Sequence, residues 1–163
     1  MNTIETDHLL LRPYEESDWE KFRALVQDDR VMWRLTGTLS EEVARRIFSR
    51  FLEEPAGQEM FGWAVTTKPA GEYCGHVFID KYSRRQRSAE LGFVLSKAFQ
   101  GQGFGKEMAA AAYRFVHDSL GCNKVKATVD GDNAPAKAVL AGLGMSEVAR
   151  ESDEDGVFLI YSD

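Results

Sequence analysis

The stretch Gln100-Gly101-Gln102-Gly103-Phe104-Gly105-Lys106 joins a strand-like apolar run, Ala89 to Ser96, to a long helical pattern that begins near Gly105. A strand that passes through closely spaced glycines directly into a helix has few ways to fold. Strand end and helix start lie against each other, with no side chains to block close approach by a ligand. The first turn of the helix offers unpaired backbone N–H groups and the positive end of its macrodipole, so the junction suits an anion such as phosphate. Two nucleotide motifs do not fit it. A dinucleotide fingerprint needs a third glycine where Lys106 stands, and a P-loop needs Ser or Thr after Gly105-Lys106, where Glu107 follows.

At 163 residues the chain is long enough for one substantial core and too short for two comfortable ones, so a single domain over 1–163 is expected. No apolar run approaches membrane-spanning length, and the acidic start (Glu5, Asp7) lacks the basic-then-apolar order of a signal peptide. A cytoplasmic protein with no membrane partner is therefore expected. Cys74 and Cys122 lack metal-ligand spacing and His8, His76 and His117 are scattered, which points to no metal site and to cysteines acting as buried small hydrophobes. A formal charge of −6 argues against a nucleic-acid-binding surface. The local basic cluster Ser83-Arg84-Arg85-Gln86-Arg87 reads as a solvated hairpin turn.

Elements of both classes alternate along the chain. Leu9 to Arg12 reads as a strand ended by Pro13, and Ser17 as the N-cap of a helix running to about Asp29 on an apolar face of Trp19, Phe22, Leu25 and Val26. Ser40 repeats the signal for a second helix, with Val43, Ile47, Phe48, Phe51 and Leu52 on one face and Pro55 and Gly57 as its stop. Phe61 to Thr67 and Tyr73 to Tyr82 are strand-like and flank turn chemistry at Lys68-Pro69-Ala70-Gly71-Glu72, which predicts a hairpin. A strand at about Ser88 to Ser96 leads into the glycine turn, then a helix from Phe104 to Leu120 with Gly121 as stop. Lys124 to Val129 is a strand and Ala134 to Leu143 a short helix with Pro135 in its first turn. Val148 to Arg150 and Val157 to Tyr161 are closing strands.

The order strand, two helices, three strands, helix, strand, helix, two strands is similar to the GNAT fold of acetyl-CoA-dependent N-acetyltransferases: a mixed α/β (α+β) domain whose mostly antiparallel sheet is flanked by helices. Four segments carry the resemblance. Gln100, Gly103 and Gly105 match the pattern Q/R-x-x-G-x-G/A of that family's pyrophosphate-binding turn. Thr6-Asp7-His8-Leu9-Leu10-Leu11-Arg12-Pro13 and Ala89-Glu90-Leu91-Gly92-Phe93 resemble the branch that includes the ribosomal-protein N-terminal acetyltransferases. Asn133-Ala134-Pro135-Ala136, followed by Leu140 and Gly142-Leu143-Gly144-Met145, looks like that branch's second cofactor segment.

What the resemblance implies can be written residue by residue. The pyrophosphate of acetyl-CoA would lie on the turn formed by Gln100, Gly101, Gln102, Gly103, Phe104, Gly105 and Lys106, with the amides from Gln102 to Lys106 as donors and Lys106 adding charge attraction. The strand before the turn splays from the next one in this family, so the backbones of Phe93, Val94 and Leu95 would pair with pantetheine, and an N–H near Val94 or Leu95 would face the acetyl oxygen. Asn133 is either a polar contact to pantetheine or an ordered water, or simply the N-cap of the next helix. Glu90, a carboxylate in an apolar strand, is the candidate general base; its other readings are an exposed strand position or a structural partner for an arginine. His76 is a weaker base candidate.

The chain departs from the family at the acid, because Leu140 stands where many relatives have tyrosine and Ala136 where the ribosomal branch has serine. Water held by Asn133, or another segment, would then protonate the leaving thiolate. On the acceptor side the resemblance brings Trp33, Arg34, Phe61, Trp63 and several acidic residues, favouring a cationic amine, although both tryptophans read first as core aromatics. A protein N-terminus, with its α-amino pKa near ~7.7–8 against ~10.4 for lysine, needs less deprotonation than a lysine; a polyamine, an amino sugar or an amino-acid-like metabolite stays open. The family's dimers leave a homodimer open. Competing readings are a catalytically silent acyl-CoA-binding or regulatory module and a generic nucleotide-binding α/β protein.

Overall fold

The computed structural model describes residues 3–53 and 59–163. Its elements are β1 (Ile4–Glu5), β2 (Leu9–Pro13), α1 (Trp19–Val26), α2 (Asp29–Met32), α3 (Glu41–Leu52), β3 (Phe61–Thr67), β4 (Tyr73–Ser83), β5 (Ser88–Leu95), α4 (Phe104–Asp118), β6 (Lys124–Asp130), α5 (Ala134–Gly142), β7 (Ser146–Asp153) and β8 (Gly156–Ser162). The strands form one sheet in the order β1-β2-β3-β4-β5-β6-β8-β7. Neighbours are antiparallel except β5 and β6, which α4 joins as a crossover.

Local signals explain most boundaries. The Ser40 hydroxyl accepts from the Val43 N–H at 3.3 Å and starts α3, and the Asn133 side chain accepts from the Ala136 N–H at 3.3 Å and starts α5 with Pro135 in its first turn. Gly121, at φ +67, follows the end of α4. The first helical region differs from expectation. Ser17 lies inside a 3-10 turn, Glu16–Asp18, and the carboxylate of Asp18 accepts from the Glu15 N–H at 3.0 Å. The helix expected to reach Asp29 stops at Val26, because the Asp28 carboxylate accepts from the Arg30 N–H at 3.0 Å and caps a separate α2. α4 ends at Asp118 rather than Leu120, and the short β1 gave no periodic signal. The expected stop at Pro55 and Gly57 falls outside the described residues.

Alternation along the strands sorts side chains onto two faces. One face carries Leu9, Leu11, Trp63, Val65, Val77, Ile79, Ala89 and Leu91 beneath Met108, Ala112 and Val116 of α4 and Leu140 of α5. The opposite face carries Ala64, His76 and Val94 beneath Phe22, Phe48 and Phe51 of α1 and α3. By the same alternation Glu90 and Gly92 share the α1–α3 face. On that face Gly62 is forced by contact, since a Cβ there would stand 2.5 Å from the buried Phe51 ring. Both cysteines are buried.

β2 is tied to the helical layer by a closed ion pair. Arg12 donates to both carboxylate oxygens of fully buried Asp18, at 2.7 and 2.8 Å. Burial pushes the Asp18 carboxyl upward, but the Arg12 hydrogen bonds and the Glu15 N–H prevail, so its pKa is lowered.

Gly75 controls the seat of β5. A Cβ on it would lie 2.5 Å from the Val94 carbonyl oxygen, a backbone atom that only a shift of β5 can move. Gly75→Ala is expected to cost about 1–3 kcal/mol. At about 2–4 °C per kcal/mol for a domain of this size, calorimetry should show a clear fall in Tm; an unchanged Tm contradicts the placement of β5.

Candidate active site

Parallel pairing between β5 and β6 is short. It covers Ser88↔Lys124, Ala89↔Val125 and Glu90↔Lys126 and goes no further, while β5 runs on to Leu95 and β6 to Asp130. β4 pairs with β5 up to Gly75↔Leu95, and β8 pairs with β6 from Lys126 to Asp130. The two strands thus open into a V with its apex at Glu90 and Lys126, and among the described residues the β6-facing backbone edge of Leu91 to Leu95 has no strand partner. Such groups are costly unless water or a ligand satisfies them. Phe93, Val94 and Leu95 lie on this edge. The Leu95 carbonyl accepts from the Gln100 side chain at 3.1 Å, so Gln100 braces the strand end with its amide.

The glycine turn continues from the open arm. Gly101 and Gly103 have φ +78 and +84, left-handed values that alternate with those of their neighbours and that suit glycine. Gly103 caps α4, and the first backbone bond into the helix runs from the Glu107 N–H to the Gly103 carbonyl at 3.1 Å. Among the described residues, no protein acceptor takes the amides of Gly101, Gln102, Gly103, Phe104, Gly105 or Lys106. A Cβ on Gly101, Gly103 or Gly105 would meet no atom within 4 Å. The Gln102 side chain folds back on the Ala98 carbonyl at 3.3 Å, and Lys106 is exposed. Glu107 is turned away from the cradle: Thr6 Oγ1, the His8 N–H (2.8 Å) and His8 Nδ1 (3.0 Å) meet its carboxylate. Its pKa is lowered, because these partners outweigh the upward push of burial.

Glu90 stands at the apex of the V, and both its oxygens lie 3.0 Å from Lys81 Nζ. Its partner is a lysine, and the sequence reading had not singled that lysine out. Lys81 follows a shift of register in β4 between Asp80 and Ser83 and has φ 49, a conformation that aims it across β5. A polar Asp80-Lys81 pair interrupting the alternation was the available signal. Asn133 acts as the helix cap, and among the described residues no protein acceptor takes its NH₂. Leu140 is 1% exposed inside the core, and Ala136 packs against its rim.

The α1–α3 face holds a buried polar chain absent from the sequence reading except for its histidine. Tyr14 Oη lies 2.9 Å from His76 Nδ1 and 2.8 Å from Tyr73 Oη. The His76 ring is packed by Phe22, Phe51 and Phe78. Burial depresses its pKa to about 3, a hydrogen bond with the Trp63 backbone opposing, and burial also raises the phenols of Tyr14 and Tyr73. His76 is therefore a neutral structural group rather than a base. Trp63 and Phe61 belong to the α4 face and line no acceptor side, whereas Trp33 is 55% exposed under the Arg34 guanidinium, not a core aromatic. A cavity of about 450 Å³ opens on the α1 side between Lys21, Leu25, Asp28, Glu72, Tyr73 and Ser96. Ser96 lies six residues beyond Glu90, about 20 Å along an extended strand. The cavity thus opens at the Leu95 end of β5, away from Glu90.

A splayed parallel pair leading into an anion cradle at a helix start is the arrangement that the resemblance to the GNAT acetyltransferases leads one to expect. The chain belongs to the acetyltransferase (GNAT) domain family, whose model matches residues 8–146. It is 26% identical over 143 residues to the uncharacterized N-acetyltransferase YnaD of Bacillus subtilis (strain 168), covering 87% of this chain and 81% of that one. The fold is shared with the ribosomal-protein-S5-alanine acetyltransferase of Vibrio fischeri: TM-score 0.86, 16% identity, 100% of this chain and 96% of that one. It is shared too with the spermidine N-acetyltransferase of Vibrio cholerae in complex with CoA and spermine: TM-score 0.85, 17% identity, 97% and 96% covered. The chain is thus an N-acetyltransferase by family.

Because His76 has a folded pKa of about 3 against an ordinary 6.5, the unfolded chain binds its proton first. This contribution to stability is complete above about pH 6.5 and is lost progressively as pH falls toward about 3, by up to ~1.4 kcal/mol per pH unit. Urea unfolding at several pH values between these limits should show that slope, and His76→Gln should flatten it. A wild-type stability that is level down to about pH 4 excludes a buried neutral His76.

Proposed function

We propose that this chain, as a single domain over 1–163, transfers the acetyl group of acetyl-CoA to a primary amine by direct attack on the thioester. The observation that carries the reading is the arrest of β5–β6 pairing at Glu90↔Lys126, followed by an unpaired strand edge and a turn of unpartnered amides. Pantetheine enters the V and adds to the backbone edge of Phe93, Val94 and Leu95. The pyrophosphate takes the amides from Gln102 to Lys106, with Gln100 bracing the strand end and Lys106 supplying charge. The N–H of Val94 or Leu95 faces the developing oxyanion. Glu90 removes the amine proton directly or through water, and water held by the Asn133 NH₂ protonates the departing thiolate, since Leu140 and Ala136 carry no donor.

The acceptor is a cationic amine. Lys81 Nζ feels the carboxylates of Glu90, Asp80 and Glu151, so the apex of the V already attracts an ammonium group. An S5-alanine acetyltransferase and a spermidine acetyltransferase share this fold and frame the two acceptor classes to test, protein α-amines and polyamines. Among the described residues no helix is long and apolar enough to cross a membrane, which supports a cytoplasmic enzyme supplied with metabolic acetyl-CoA.

Gly103 carries the binding test. A Cβ there meets no atom within 4 Å, but a branched side chain would stand in the cradle, so Gly103→Val should weaken acetyl-CoA binding in calorimetric titration. Gly105→Ala, which the family pattern accepts, should keep that affinity and stabilise the free protein by up to about 0.5–1 kcal/mol, seen as a higher Tm. Unchanged affinity of a folded Gly103→Val removes the pyrophosphate from this turn.

Glu90→Gln should lower kcat by about 10²-fold or more in an acceptor screen that follows release of CoA thiol, with acetyl-CoA affinity nearly unaltered. An unchanged rate and pH profile with a reactive amine rejects Glu90 as the base. Absence of thiol release with every amine offered, by a protein that binds acetyl-CoA, rejects the transferase reading.

A further inference from the structure

The strongest unassigned feature is a carboxylate held off the glycine turn by a distant part of the chain. Between Lys97 and His117 the only acidic residue is Glu107. It stands in the first turn of α4, directly after the amides that the proposed function gives to the pyrophosphate. Helical side chains lean toward the N-terminus, so an unrestrained Glu107 covers the turn that precedes it. The positive end of the helix attracts a carboxylate to the same place. The structure puts it elsewhere. The Thr6 hydroxyl, the His8 N–H at 2.8 Å and His8 Nδ1 at 3.0 Å all meet its carboxylate. A carboxylate only accepts, so the Thr6 hydroxyl and Nδ1 both donate, and the tie needs no charge on the imidazole. Thr6 is itself fixed, since its N–H donates to the Leu9 carbonyl at 3.0 Å and its hydroxyl oxygen accepts from the Leu9 N–H at 3.1 Å. The centroid of the His8 ring lies 6.4 Å from that of Phe104, the first residue of α4. Burial raises the Cys74 thiol of β4 to about 12 and the Glu107 charge adds to that push, in keeping with a carboxylate on the sheet side of α4.

We propose that Thr6 and His8 are positioning residues for acetyl-CoA: by holding Glu107 on the sheet side of α4, the turn between β1 and β2 keeps the amides from Gln102 to Lys106 open to the pyrophosphate. The inference rests on the proposed place of the pyrophosphate at this turn. A released Glu107 brings a negative charge over Gly103 and Phe104, where it competes for the same donors and repels the cofactor anion. Thr6 and His8 act only through Glu107. Thr6 and Glu107 are 101 residues apart, so the start of the chain governs a site built near its middle.

The test measures acetyl-CoA binding by calorimetric titration of the full chain as wild type, Glu107→Ala, Thr6→Val/His8→Ala and the triple variant that joins them. Thr6→Val/His8→Ala leaves the carboxylate only the backbone N–H of residue 8 among these partners and should weaken binding about fivefold or more. Glu107→Ala breaks the same tie but removes the charge, so its affinity should stay within about twofold of wild type. The triple variant should regain that affinity, a rescue that a merely structural brace does not give. An affinity that falls as far in Glu107→Ala as in Thr6→Val/His8→Ala, or that the triple variant does not restore, overturns the inference. Wild-type affinity in Thr6→Val/His8→Ala overturns it as well. Should that double variant not fold, His8→Ala alone keeps the bonds between Thr6 and Leu9 and is expected to show the same loss in smaller degree, with the same rescue by Glu107→Ala. If Gly103→Val weakens binding and the rescue fails, this inference alone fails. If the wild type does not bind acetyl-CoA, or Gly103→Val binds it equally well, the pyrophosphate reading fails with it.

Discussion

Two parallel strands that pair for three residues and then part leave backbone N–H and C=O groups facing each other across a gap. Those groups were stripped of a partner by the fold itself, and the rest of the molecule is arranged to keep them so. β4 holds one side of β5 along its length, β8 holds β6 from Lys126 onward, and α4 fills the underside with Met108, Ala112 and Val116. With both arms anchored on their outer edges, the V cannot collapse. The close approach at Gly75 sets the arm nearer the helices, and the Gln100 side chain fastens the arm's end to the turn.

The two sheet faces then divide the work. The α4 face is a continuous apolar core whose last members, Leu140 and Met145, belong to α5 and its exit. The α1–α3 face mixes aromatic rings with a mutually satisfied chain of hydroxyls and imidazole, in which Tyr14 and His76 are buried and Tyr73 partly so. Groups so enclosed contribute specificity of packing rather than proton transfer. At the apex of the V, by contrast, Glu90 is only partly covered.

The glycine turn, the order of elements, the capping at Ser40 and Asn133 and the buried cysteines were legible because each rests on a local rule: positive φ, periodicity or an orphan amide with a nearby oxygen. The misreadings share a different origin. Trp33 and Trp63 look alike in a sequence, and only the sheet register decides that one is sealed under α4 and the other stands in solvent. The break between α1 and α2 depends on whether Asp28 caps or continues a helix, a contest of a single hydrogen bond. The Lys81–Glu90 pair joins residues nine apart through a change of register in a hairpin, which no spacing rule encodes. The same holds for the link between Tyr14 and His76, 62 residues distant in the chain.

β7 is exposed along its whole length and hydrogen-bonds to β8 alone, as the outermost strand of the sheet. An element with so little buried surface opens at a small fraction of the free energy needed to unfold the molecule, and its amides exchange with solvent first. Its charges, Glu147, Arg150, Glu151 and Asp153, discourage a neighbouring chain from adding to the edge while it is open. Because Glu151 contributes to the field at Lys81, each opening of this outer strand also loosens the electrostatic grip on that lysine. The opening of a peripheral hairpin thereby changes the potential at the apex of the V.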